Sequence, residues 1–117
     1  MENSLNEIFS AKNEMLKRGL IVEATEKYFA QHAKTYDFDG TVTASKPEMV
    51  EKMNGFAGAI AKVNGITLHD ASVNENVSFA EFTFDFDMKD GSKIVWHEII
   101  RSIWNDGQIV EEQYFKS

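Results

Sequence analysis

The sequence predicts an α+β fold in which three N-terminal helices cover one face of a curved antiparallel sheet, and three observations carry that prediction. The last third of the chain holds three runs of strand-like alternation, Phe79–Met88, Lys93–Trp104 and Gln108–Phe115. Asp90-Gly91 separates the first two, and Asn105-Asp106-Gly107 separates the last two. Asp-Gly between alternating runs is a strong hairpin signal, because glycine and Asp/Asn tolerate the backbone conformations that a tight turn needs. Three amphipathic segments at helical spacing precede this meander, so helices and strands are segregated along the chain.

The first segment, Leu5–Arg18, places Leu5, Ile8, Phe9, Met15 and Leu16 on one stripe, and Gly19 ends it as a C-cap. The second, Leu20–Ala33, aligns Ile21, Thr25, Tyr28 and His32, with Val22 and Phe29 beside them. Lys34–Gly40 is a short candidate strand. The third helix opens on Ser45-Lys46-Pro47-Glu48, a capping box with Ser45 as N-cap and Pro47 in the first turn, where a missing N–H does no harm. Met49, Met53, Phe56 and Ile60 then recur every three or four residues. Asn64-Gly65 leads into a strand, Ile66–Val73, and Asn74-Glu75-Asn76 turns the chain into the meander.

A chain of 117 residues, 43% apolar and with nine Phe, supports one packed core and no second domain. The absence of cysteine excludes disulfides, thiolate metal sites and a cysteine nucleophile, and fits a cytoplasmic protein. Met1–Glu7 has neither a basic nor an apolar stretch of the secretory kind, and no apolar run approaches a membrane span. A net charge of −7, with Lys and Arg scattered, argues against nucleic acid and anionic lipid as partners. No phosphate-cradling glycine loop and no Gly-x-Ser-x-Gly element occurs, and the three histidines lack metal-ligand spacing, so no cofactor and no metal is expected.

Several local patterns resemble the nuclear transport factor 2-like superfamily, and in particular its SnoaL-like branch. They are Gly19 with the apolar helix after it, Tyr28-Phe29-Ala30-Gln31-His32 running into Thr35-Tyr36-Asp37, and the ending Trp104-Asn105-Asp106-Gly107-Gln108-Ile109 through Tyr114-Phe115. The resemblance covers nearly the whole chain and implies a single SnoaL-like domain over 1–117. It also implies a cone-shaped (cystatin-like) fold, with a bent sheet wrapped around three helices and a pocket at its open end. Members of the superfamily include isomerases, cyclases, dehydratases, hydrolases, binding proteins and dimerisation modules, so the fold alone does not choose a function.

Strand alternation then sorts the faces. Phe82, Phe84, Phe86 and Met88 form an inward stripe. The next strand is half apolar on each face, and by resemblance to the family's register Trp96, Glu98 and Trp104 point inward, followed by Val110, Glu112 and Tyr114 on the last strand. Ile99, Arg101, Ile103, Ile109 and Phe115 are left on the outer face as a homodimer surface, beside His97. Glu98 and Glu112 would share an apolar cavity, where repulsion and desolvation raise the pKa of at least one and suit the pair to acid/base work. The resemblance also lays Asp37 on the catalytic aspartate of the ketosteroid isomerases, and His32, at the end of the Ile21–Tyr28 stripe, would point into the cone mouth beside it to assist.

Three departures count against the superfamily's familiar reactions. Ile100 stands where the isomerases keep a protonated acid and the first helix offers no tyrosine, while Lys116 replaces the usual closing aspartate. The expected function is binding of an apolar small molecule, lined by Tyr28, Tyr36, Phe56, Trp96, Trp104 and Tyr114, with cofactor-free acid/base catalysis of the isomerase, cyclase or dehydratase type by Asp37, Glu98, Glu112 and His32. The alternative is a non-catalytic ligand-binding or dimeric interaction module.

Overall fold

The computed structural model describes residues 4–116. Helix α1 spans Leu5–Lys17, capped by the Ser4 hydroxyl, which accepts from the Glu7 amide at 3.2 Å. Gly19 follows at φ 80°, a conformation that glycine adopts without steric cost. Helix α2 covers only Ile21–Tyr28, and strand β1 takes over at once as Phe29–Tyr36. The helix predicted through Ala33 is thus cut short, and the strand predicted from Lys34 starts five residues early. Tyr28 and His32 fit a helical stripe, but β1 gains a backbone partner in the last strand of the sheet, and that tertiary pairing overrides local propensity.

Strand β2 is the two residues Val42–Thr43. Helix α3, Lys46–Gly58, begins at Ser45, whose hydroxyl accepts from the Glu48 amide. Glu48 closes the cap from the other side by accepting from the Ala44 amide, one residue further back than the expected box. Strand β3 runs Ile60–Asn74, six residues longer at its start than the sequence predicts, and three register irregularities against β4 bend it. Strands β4 (Val77–Met88), β5 (Lys93–Asn105) and β6 (Gln108–Lys116) form the expected meander. Asp106 and Gly107 both take positive φ, 51° and 76°, in the two-residue β5–β6 turn.

The sheet order is β2-β1-β6-β5-β4-β3, antiparallel throughout except that β1 runs parallel to β6. Phe82, Phe84 and Phe86 are buried on the inner face as predicted, together with Phe9, Leu16, Ala24, Tyr28 and Met49 from the helices. Ile109 departs from expectation. Between Ile103↔Glu111 and Trp104↔Ile109 the β5–β6 register shifts by one residue, leaving Val110 unpaired. A one-residue bulge reverses the face of what lies beyond it. Ile109 is therefore fully buried in the core and leaves the proposed outer surface. No helix among the described residues is long and apolar enough to cross a membrane.

Candidate functional site

A cavity of about 220 Å³ lies between the three helices and the inner face of the sheet. Most of its wall is apolar: Leu16 and Ile21 from α1 and α2, Met49, Met53 and Phe56 from α3, and Phe84, Phe86, Trp96 and Ile100 from the sheet. Phe56 stacks on Trp96 with ring centroids 5.3 Å apart and planes 15° from parallel. Polar groups enter the wall at two ends.

The inner end is built on Glu112. The β5–β6 register sets Ser102 directly opposite it, and Tyr114 follows two residues on along the same face. Glu112 Oε2 accepts from Ser102 Oγ at 2.6 Å and from Lys12 Nζ at 3.1 Å, while Oε1 accepts from Tyr114 Oη at 2.7 Å. Lys12 and Glu112 are each about 4% exposed, so this is a buried ion pair whose carboxylate is held by three donors. Burial first, and the Glu112 charge second, push the Tyr114 phenol well above its usual range, so it stays a donor.

Toward solvent, Asp37 pairs with Lys52. Lys116 sits 4.2 Å from the centroid of Trp96 and 4.3 Å from that of the exposed Phe38. Such cation–π contacts hold an ammonium without discharging it.

Glu98 stands between the two ends. Its cross-strand neighbours are Phe82 on β4 and Lys116 on β6. The carboxyl lines the cavity and has no hydrogen-bond donor among the described residues. Its pKa is raised to about 7, chiefly by burial, then by Glu112 and more weakly Asp37, against the opposing pull of Lys116 and Lys12.

The structure thus brings Asp37, Glu98 and Glu112 to one cavity with Phe56, Trp96 and Tyr114. The other predicted members lie elsewhere. His32 is an exposed residue of β1 outside the cavity, because the helix that would have aimed it inward ends at Tyr28. Tyr36 does not line the cavity either. Tyr28 and Trp104 pack edge to face in the core, with Trp104 Nε1 donating to Ser78 Oγ at 2.9 Å, and so serve packing. On the outer face Arg101 lies 3.6 Å from Glu111 and His97 pairs with Glu81, both away from the cavity. No group of three or more His, Asp or Glu among the described residues is placed to hold a metal ion.

Sequence reasoning missed Lys12, Lys52 and Ser102. Lys12 carried a signal, since it falls on the Ile8–Leu16 stripe where a lysine has to be buried or break the face. Its pairing with Glu112, 100 residues away, carried none.

No protein-family profile matches the chain, and no curated protein does. Solved structures do. A candidate SnoaL-like polyketide cyclase from Mesorhizobium loti is 26% identical, with 97% of this chain and 99% of that one covered and a TM-score of 0.84. A protein of ketosteroid isomerase-like fold from Catenulispora acidiphila, solved in complex with trimethylamine, is 16% identical over 95% and 85% of the two chains, with a TM-score of 0.77. A candidate hydroxylase from Streptomyces galilaeus is 15% identical over 97% and 88%, with a TM-score of 0.78. In fold, this chain is similar to SnoaL-like and nuclear transport factor 2-like proteins.

Proposed function

We propose that this SnoaL-like protein binds a compact, mainly apolar molecule in its cone and moves a proton on it with Glu98. The observation that carries this reading is that, among the described residues, Glu98 is the one cavity carboxylate without a fixed partner, whereas Asp37 and Glu112 are each ion-paired. A carboxyl that ionises near neutrality is matched to proton transfer at neutral pH. Asp37 and Glu112 act on it through their charge. The size of the cavity supports a ligand of one or two rings, since a cavity of roughly 150 Å³ already accepts benzene. SnoaL-like cyclases among the structural neighbours agree with small-molecule chemistry of this kind.

The test uses 1-indanone, a bicyclic ketone with exchangeable hydrogens beside its carbonyl. In D₂O the wild type should exchange those hydrogens at a rate that rises with pH through about 7, as the Glu98 carboxylate forms. Glu98→Gln should slow this by roughly 10²-fold or more, the usual worth of a general base. Binding without exchange in the wild type would instead identify a non-catalytic carrier, a reading favoured by the three donors that immobilise Glu112.

Two further proposals accompany this one. The outer face is a homodimer surface, supported by the exposure of Phe79, Val95, Ile99 and Phe115 on adjacent strands. A cytoplasmic location rests on the cysteine-free composition.

A further inference from the structure

Lys12 is a lysine ammonium 4% exposed, in the wall of the cavity, with three N–H donors and one acceptor. That acceptor is Glu112 Oε2, and no other described residue takes a hydrogen bond from Lys12. A buried charged donor left unsatisfied is costly, so the remaining N–H bonds call for an acceptor. The cavity is the open space that Lys12 borders.

The sign and charge of that acceptor follow from the surroundings. A cationic ligand would meet Lys12, Lys52 and Lys116, all three in the cavity wall, while Asp37 and Glu112 are already committed to two of them, which leaves Glu98 as the remaining cavity carboxyl among the described residues to face a cation. A fully anionic ligand group at Lys12 would lie against the Glu112 carboxylate, whose oxygen is 3.1 Å from the same nitrogen. An uncharged oxygen with free lone pairs meets neither objection. Around it the wall is apolar, with Leu16, Met49 and Ile100 leaving room for a hydrocarbon body.

We infer that Lys12 forms an oxygen subsite at the inner end of the cavity, which anchors a neutral ligand through a carbonyl oxygen. This rests on the reading of the cone as a ligand site and adds the orientation of the ligand: carbonyl toward α1, hydrocarbon toward Phe56 and Trp96. Lys12 is a positioning group here, and Tyr114 and Ser102 support it by holding Glu112.

The experiment compares 1-indanone with indane, its carbonyl-free counterpart, by equilibrium dialysis against the wild type and a Lys12→Met/Glu112→Gln double variant. Substituting Lys12 alone would strand a buried carboxylate, whereas the double variant removes both charges and keeps side chains of similar size. The preference for indanone over indane should fall about tenfold or more in the double variant, the size expected of a lost charged hydrogen bond. The infrared carbonyl band of bound, ¹³C-labelled indanone should move to higher frequency there. An unchanged preference and band, with both molecules still bound, overturns the subsite and leaves the cavity standing as a ligand site. Failure of both molecules to bind the wild type overturns the two together. Should the double variant not fold, the wild type decides: indanone and not indane must shift the ¹⁵Nζ resonance of Lys12, and equal shifts overturn the subsite.

Discussion

Glu98 keeps its proton to about pH 7 because burial penalises its charge, with the Glu112 carboxylate adding to the penalty. The same fact bears on stability. The folded-state value lies above the ordinary 4.5, so between about 4.5 and 7 the folded chain binds a proton that the unfolded chain has released, and stability falls as pH rises through that window. Above it the full cost is present, about 3 kcal/mol from the size of the shift. Glu98→Gln should therefore stabilise the protein by up to that amount near pH 8 and change little near pH 4, by urea denaturation at the two values. Equal effects at both would show that the carboxyl is not desolvated. The inward placement of Glu98 was legible from strand alternation and the family register. Its isolation was not, because it depends on Glu112 being taken by Lys12 and Ser102, and on Lys116 being drawn aside over Trp96.

At the scale of elements, the meander was readable because its periodicity and turns agree: alternation and Asp-Gly point to the same hairpins. Reading failed where two patterns competed. Residues 29–33 fit both a helical stripe and a strand, and the segment is drawn into the sheet by pairing with β6 at its two ends, Phe29 with Ile109 and Lys34 with Glu111. It failed again at the bulge, which no residue type announces. One unpaired residue, Val110, sends Ile109 from the expected surface into the core and still brings Glu112 and Tyr114 inward. Ile109→Ala should accordingly cost about 2–5 kcal/mol in urea unfolding, as for a fully buried aliphatic side chain. A loss below about 0.5 kcal/mol, typical of surface positions, would return Ile109 to the outer face.

Over the whole molecule, the concave side of the sheet is spent on the core and cavity, and the convex side retains Phe79, Val95, Ile99 and Phe115 at 39–57% exposure. If that side joins two copies, Ile99→Asp should convert a dimer to a monomer in sedimentation velocity without altering far-UV circular dichroism. Wild type that already sediments as a monomer would remove the surface from consideration. The parallel pairing of β1 with β6 has a different consequence, in time instead of space. β1 is made early, yet its long partner is the last strand described, and β6 sits in the interior of the sheet order between β1 and β5. During synthesis the β3–β4–β5 meander can pair as it emerges, while β1 and β2 wait without a sheet to join, and Lys12 waits for Glu112. Cone, cavity and inner ion pair are therefore completed in one late step, when the chain through Lys116 has left the ribosome. A nascent chain stalled before Gln108 would lack Glu112, Tyr114 and Lys116 from the cavity wall, and with them the inner end of the site.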